Sequence, residues 1–252
     1  MKKKTRIISR IDLNNGQLVK GKLLEGLRKL GDPIPYLKSY YFDLLDEIIL
    51  LDAVASLYDR NSNYEFLKEI CKEFFIPITI GGGIKTIKDV DHALNSGADK
   101  VAINSAFIRN IEFLDQVVNV FGSQAVLGSI VARKHRYSWQ IFTDNAKHRV
   151  KISPFDWAEE IIDRGVGEIM LTSIDNDGIE KGFDMDLIEK FDKVGRVPYL
   201  VSGGAGNIEH VINLIKKSNC SGVVIGSALH YKKFTVRELK NKLMKNNIDL
   251  RN

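Results

Sequence analysis

The sequence is poor in the residues that mark several protein classes. Only two of its 252 residues are cysteine, Cys71 and Cys220. That excludes a disulfide-built scaffold and suits the reducing cytosol. The histidines (His92, His135, His148, His210 and His230) show no HxH or HxxxH spacing and no cysteine partner, so no metal site is expected. No apolar run approaches the ~18 residues that suggest a membrane span. Met1-Lys2-Lys3-Lys4 has the charge of a secretory leader, but only Ile7 and Ile8 follow before Ser9, Arg10 and Asp12, so no signal segment is expected. A cytoplasmic protein is the expectation. The net charge of +5, from Lys+Arg 37 against Asp+Glu 32, is compatible with small anionic ligands and too slight to argue for nucleic acid. With 44% hydrophobic and 27% charged residues, the chain reads as globular rather than disordered or collagen-like.

Short β-branched apolar runs alternate with longer amphipathic stretches. Strands are expected near 6–12, 47–52, 77–81, 100–104, 126–131, 167–172, 198–202 and 222–226. Their nearly continuous apolar character fits a parallel sheet covered on both faces. Helical patterns lie between and after them, over 34–44, 62–74, 86–96, 110–121, 155–164, 184–192, 207–217 and 234–246. Ser153-Pro154, followed by Asp156, reads as an N-cap, a proline at the first helical position and an acid in the first turn. Eight strands alternating with eight helices at this length predict an α/β chain folded as a (β/α)8 TIM barrel, one domain over 1–252. A doubly wound open sheet is the rival. Two connections are long, 13–33 and 132–154. Both follow strand C-terminal ends, where barrel active sites lie. The second is expected to hold a hairpin, with Trp139–Phe142 and Val150–Ile152 around a turn at Asp144-Asn145-Ala146.

The two halves of the chain resemble each other. EIMLTS at 168 follows EIILLD at 47 by 121 residues, and YLVSGGAG at 199 follows ITIGGGIK at 78 by the same 121. VVIGSA at 223 follows VAINSA at 101 by 122. This period is too long for a solenoid and equals half a barrel. Half-barrels of about 1–122 and 123–252 follow. Each half carries a glycine-rich turn after its third strand, with Gly83 matched to Gly204, and a small polar residue after its fourth, with Ser105 matched to Ser227. Glycine lets backbone N–H groups approach an anion closely. Two such turns on opposite sides of one mouth predict a ligand with a phosphate at each end. The alternative is two tight strand-to-helix turns without a ligand.

The first strand ends in Asp12, whose counterpart at the end of the fifth is Val131. A carboxylate at a barrel mouth can do acid–base work, and a facing pair could divide the roles. Here the pair is broken. Asp12 could instead order a loop or cap a helix. Asp52 ends the second strand and could orient Lys20 or a substrate hydroxyl. Asp175 and Asp177 follow the sixth strand, and Asp177-Gly178 could be a simple turn.

These stretches carry a resemblance over essentially the whole chain. RIISRIDLNNGQLVKG (6–21), DEIILLDAVAS (46–56), ITIGGGI (78–84), GADKVAINSA (97–106), FGSQAV (121–126), GEIMLTSIDNDG (167–178), SGGAG (202–206) and VRELK (236–240) resemble the cyclase subunit of imidazole glycerol phosphate synthase, the HisF-type barrel of histidine biosynthesis. The resemblance implies a heterodimer with a HisH-type glutaminase. Ammonia from that subunit would cross the barrel to a substrate bearing two phosphates, and cyclisation and cleavage would yield imidazole glycerol phosphate. It implies no cofactor and no metal. It assigns catalysis to Asp12 and, at the second position, finds Val131 where the family has Asp. It maps one phosphate onto Gly83, Asn104 and Ser105 and the other onto Gly204, Gly226 and Ser227. Lys20, Asp52, Thr172 and Asp177 fall on active-site positions. A charged ammonia gate maps onto Arg6, Glu47, Lys100 and Glu168, and a docking surface for the glutaminase onto Asp99 and Gln124.

Two departures stand out. Losing a positioned acid or base typically costs 10²–10⁴-fold in rate, and Val131 is such a loss. Ser9-Arg10 introduces a charge where the family has small and apolar residues. The basic cluster Arg133-Lys134-His135-Arg136 beside Val131 is either an anion contact or a solvated loop. The departures keep two other readings open: a paralogue handing ammonia to another amidation, such as one on a surface sugar, and a non-catalytic glutaminase activator.

Overall fold

The structure is a computed structural model that describes residues 4–58 and 63–251. Met1, Lys2 and Lys3 of the basic opening, and residue 62 of the helix expected over 62–74, lie outside the described residues. Eight parallel strands close into a barrel: β1 (Arg6–Asn14), β4 (Glu47–Asp52), β5 (Ile78–Gly81), β6 (Lys100–Ile103), β7 (Val126–His135), β10 (Glu168–Ser173), β11 (Tyr199–Ser202) and β12 (Gly222–Ile225). The ring closes where β12 pairs with β1, and β7 with β10. The open-sheet rival is thereby excluded.

The helices outside the ring are α1 (Pro33–Phe42), α2 (Tyr64–Glu73), α3 (Ile87–Asn95), α4 (Ser105–Arg109), α5 (Ile111–Phe121), α6 (Pro154–Asp163), α7 (Met185–Phe191), α8 (Ile208–Lys217), α9 (Ser227–His230) and α10 (Val236–Lys245). Their starts follow from local chemistry. Asp32 and Ser153 each accept from a first-turn N–H with proline next in sequence. Thr86 with Asp89, and Thr235 with Glu238, form reciprocal capping boxes. The short helices α4 and α9 follow β6 and β12 at matching points of the two halves. Four or five residues show no 3.6-residue periodicity to read in advance.

Both long connections fold as hairpins. Residues 13–33 contribute β2 (Gln17–Lys22) and β3 (Glu25–Gly31), with β2 antiparallel to the end of β1. Residues 132–154 contain β8 (Ser138–Thr143) and β9 (His148–Val150). The second arm sits two residues earlier than Val150–Ile152, because Asp144, Asn145 and Ala146 all take positive φ and close the turn quickly.

Side chains inside the ring form layers. Arg6, Glu47, Lys100 and Glu168 lie at the N-terminal ends of their strands. Above them Ile8, Ile49, Ala102, Leu127, Met170, Leu200 and Val224 pack as one buried apolar layer. Above that layer come Arg10, Ser129 and Thr172, and then Asp12 and Val131 near the mouth. The larger core fills the space between ring and helices, where Phe107 of α4 packs on Phe113 of α5 at 5.7 Å between ring centroids.

Phe107 is 1% exposed, so Phe107→Ala is expected to cost about 3–5 kcal/mol through lost burial and a residual cavity. Urea denaturation of the two proteins measures it. A loss below about 1 kcal/mol would show that this helix pair does not belong to the cooperative core.

Candidate active site

The mouth is dominated by four buried charges. Arg10 and Asp12 point inward from β1 and Lys20 from β2, while Asp177 follows β10. Arg10 Nε donates to Asp12 at 2.7 Å, and one of its terminal nitrogens reaches Asp177 at 3.4 Å. Lys20 Nζ donates at 3.0 Å to the other oxygen of Asp12 and at 3.0 Å to Asp177. Both oxygens of Asp12 are therefore occupied by cations. Burial alone would raise its pKa, but Arg10 and Lys20 outweigh burial and hold it down at about 2. Burial likewise pulls Arg10 and Lys20 down, and their carboxylate partners reverse it, leaving both raised. Lys20 is thus placed by Asp12 and Asp177. Asp52, expected as its possible partner, instead accepts from the N–H groups of Val54 and Ala55 at 3.2 and 3.0 Å.

His230 backs this cluster. Its Nε2 lies 3.1 Å from the Arg10 carbonyl and its Nδ1 2.9 Å from the Tyr40 hydroxyl. Burial first, then Lys20, lowers its pKa to about 4, so at neutral pH it is an uncharged ring holding the Arg10 backbone.

The glycine turns have the same backbone character in both halves. Gly82 and Gly83 have φ of +95° and +72°, and Gly203 and Gly204 have +93° and +126°. A Cβ on Gly82 would meet the Asp52 carbonyl at 2.3 Å, and one on Gly204 the Gly182 carbonyl at 2.2 Å, so only glycine fits. The first-half turn opens on a cavity of about 120 Å³. Its lining includes Gly83, Asn104, Ser105, Asp52, Val131 and Thr172. Thr172 Oγ1 and Asn104 Oδ1 are buried in that wall with no hydrogen-bond partner among the described residues, as expected of groups reserved for a polar ligand. Lys85 and Arg109 also line it, Arg109 paired with the buried Asp144 at 2.6 Å, as do the carboxylates of Asp12 and Asp52. The second-half turn faces a cavity of only about 20 Å³, lined by Gly204, Gly226, Ser227, Arg10, Lys20 and Asp177.

Val131 is not merely a missing acid. It packs against a small apolar cluster of Leu24, Phe142, Ala146 and Ile174, together with Leu23. Leu23 and Leu24 are the tip of the β2–β3 hairpin. The tip is also tied to the Asp177 carbonyl by the Leu23 N–H at 2.8 Å, and the Leu24 carbonyl accepts from Asn145 at 3.0 Å. The 13–33 hairpin thus lies across the mouth and meets the 132–154 hairpin. Of the basic cluster, Arg133 stands over the Phe142 ring and Lys134 over Trp139. Neither lines the two cavities.

At the opposite end of the barrel the four expected ring residues meet. Arg6 bonds Glu47 at 3.0 Å and also pairs with Glu168, and Lys100 bonds Glu168 at 2.6 Å and approaches Glu47 at 3.9 Å. Arg251 adds a fifth member, 2.7 Å from Glu47. No local pattern in the sequence marks Arg251, because it reaches the ring only through the fold of the C-terminal segment. Asp99 and Gln124 are exposed on this same lower rim, where Asp99 also accepts from the Ile78 N–H at 2.8 Å.

A (β/α)8 barrel with glycine turns and polar groups at its C-terminal mouth, and a charged ring at its base, defines a barrel enzyme. The histidine biosynthesis protein family model matches residues 6–235. The chain is 40% identical over 246 residues to the imidazole glycerol phosphate synthase subunit HisF of Natranaerobius thermophilus, covering 98% of each. It is 36% identical to the subunit of that name from Flavobacterium johnsoniae, again covering 98% of each, and 34% identical to that from Streptococcus mutans, covering 98% of this chain and 99% of the relative. The chain belongs to the histidine biosynthesis protein family.

The folded pKa of Asp12 lies below its unfolded value of 3.8. Its stabilising effect is therefore present above about pH 4 and is lost as pH falls through about 2. Asp12→Asn is expected to cost several kcal/mol at pH 7, by leaving buried cations undercompensated. That deficit should shrink by about 2 kcal/mol between pH 4 and pH 2. Denaturation curves at each pH test it, and a pH-independent deficit would contradict the ion-pair assignment.

Proposed function

We propose that this chain is the barrel subunit of an imidazole glycerol phosphate synthase of the HisF type, using ammonia from a HisH-type glutaminase partner. The single observation that carries the reading is the whole-length identity of 34–40% to subunits of that name. The geometry supports it. The charged ring around Arg6 and Glu168 lies at one end of the barrel axis and the mouth at the other, with the apolar layer between them. A neutral small molecule such as ammonia crosses apolar surroundings at far lower cost than an ion. The glutaminase docks on the lower rim in this reading, at Asp99 and Gln124. The same rim exposes Phe42, Leu44 and Phe75, a patch suited to burial by a partner.

At the mouth, Asp12 is the remaining acid–base group. In the resting state it is ionised and doubly paired, so it accepts a proton only when a bound substrate draws Arg10 or Lys20 away. Val131 supplies no second carboxylate. Asp52 shapes the turn beside the cavity, and Thr172 and Asn104 offer oxygens to the substrate. A second reading, ammonia relay to a different acceptor, is favoured by Val131 and by the ion-paired state of Asp12.

Turnover of the histidine-pathway substrate with free ammonia tests the choice. Activity abolished by Asp12→Asn, and raised at least tenfold by Val131→Asp, is the expected result. No turnover even in the Val131→Asp protein would remove the synthase reading in favour of the relay.

With the glutaminase present, Lys100→Ala and Glu168→Ala are expected to break the link between glutamine hydrolysis and product formation. Glutamate released per product would rise above one, while activity with free ammonia is kept. An unchanged ratio would count against the ring as a gate.

A further inference from the structure

His230 is a buried titratable group with no part in the acid–base chemistry at Asp12, and it stands where three segments meet. Strand β1 carries two ladders along one edge. β12 pairs with it from Arg6 to Ser9 and β2 from Asp12 to Asn14, while β4 occupies the other edge. Between the two ladders, at Arg10 and Ile11, that edge has no strand partner among the described residues. The Arg10 carbonyl at this gap accepts a hydrogen bond from His230 Nε2 at 3.1 Å. A carbonyl only accepts, so Nε2 carries the proton and Nδ1 is bare. The Tyr40 hydroxyl therefore donates to Nδ1, at 2.9 Å. The ring is 4% exposed, with both nitrogens in use and one tautomer fixed by its partners.

These contacts bracket the first hairpin. Arg10 on β1 precedes residues 13–33, and Tyr40 on α1 follows them. Tyr36, one turn earlier on α1, packs edge-on against the same imidazole at 6.1 Å between ring centroids. His230 itself ends α9, which begins at Ser227, and its own N–H donates to the Gly226 carbonyl at 3.1 Å. A Cβ placed on Gly226 would lie 3.5 Å from the Arg10 carbonyl, 3.6 Å from Lys20 Nζ and 3.7 Å from His230 Nε2. The Gly226 turn thus lies beside all three. Lys20 follows Val19, which pairs with Asp12 in the hairpin ladder. Where β2 meets β1 therefore decides whether the ammonium reaches Asp12, Asp177 and the Gly226 turn together. Without the imidazole, the Arg10 carbonyl would be a buried acceptor short of a partner, and the hairpin would lose its fixed point on the barrel.

We infer that His230 is a positioning residue that sets the Lys20 ammonium beside the turn at Gly226 and Ser227. It joins the barrel ladder to the hairpin ladder through the Arg10 carbonyl, and it ties α1 to the same point through Tyr40. The consequence for binding rests on reading the mouth as a site for a phosphorylated substrate. Lys20, held between Asp12 and Asp177, then supplies the cation at the second-half turn. His230 governs the affinity of that turn for an anion without touching the anion.

Nitrogen-detected NMR of the full chain at neutral pH tests the placement. The Lys20 Nζ–H signal is expected to be visible, because two buried ion pairs slow its exchange with water. His230→Gln keeps a donor for the Arg10 carbonyl and an acceptor for Tyr40, and should leave that exchange within about twofold of the unaltered chain. His230→Leu keeps bulk and loses both bonds, and should speed the exchange about tenfold. Titration with inorganic phosphate reads the effect on binding. In His230→Leu the amides of Gly226 and Ser227 should bind about tenfold more weakly, while those of Gly83 and Ser105 keep their affinity. A Lys20 signal missing from the unaltered chain, or exchange unchanged in a folded His230→Leu protein, overturns the inference. So does equal damage in the Gln and Leu variants, or equal weakening at both turns. If His230→Leu does not fold, Tyr40→Phe decides: it should speed Lys20 exchange about threefold, and no change overturns the inference. An unaltered chain that binds phosphate at neither turn loses the phosphorylated-substrate reading, while the Lys20 signal still decides the role of His230.

Discussion

Four charges withdrawn from water must neutralise one another, and the architecture of the mouth depends on how they do so. Arg10, Asp12, Lys20 and Asp177 come from β1, the first hairpin and the loop after β10. None can leave without stranding a buried partner, which is far costlier than losing a surface pair. The cluster therefore fixes where the first hairpin lies. With Lys20 anchored, the hairpin tip reaches across to Phe142 and Ile174, and Val131 completes the apolar surface that receives it. The absence of a carboxylate at Val131 and the closure of the hairpin are parts of one arrangement. Val131 stands at the boundary, with the open cavity on one side and Leu24, Phe142 and Ile174 on the other.

The barrel axis has polar ends and an apolar middle. At the base, Arg6, Lys100 and Arg251 converge on Glu47 and Glu168. Burial opposes the charge on Arg6, but Glu168 and Glu47 more than compensate and raise its pKa. The seven-residue apolar layer separates that ring from the cluster at the mouth. A neutral solute and an ion face different barriers along such a path, since an ion loses hydration that the layer cannot replace.

The half-barrel repeat carries the scaffold and leaves the chemistry free to differ. Positive-φ glycines recur at matched positions because each turn brings backbone against a neighbouring carbonyl. The inward positions obey no such constraint. Arg10 matches Ser129 and Asp12 matches Val131 in the repeat, and the cavities on the two sides of the mouth differ in size and lining. The unequal pairs were visible in the chain as written. Their consequence was not, because an arginine head can reach any of several partners and the sequence does not name which.

By itself the sequence determined the alternation of strands and helices, the barrel, and the repeat with its glycine turns, which follow from local periodicity, capping chemistry and spacing along one chain. The members of the basal ring came from its resemblance to a known family. It also exposed Val131 as the apolar counterpart of Asp12 in the repeat. Only the tertiary structure decided that Arg10 pairs with Asp12 and Asp177, that Lys20 is held by Asp12 and Asp177 rather than Asp52, that Arg251 joins the ring, and that Val131 receives the hairpin. Each of these joins residues from distant segments through long side chains. Such contacts are set by which buried charge or apolar surface would otherwise lack a partner, and that is a property of the folded whole.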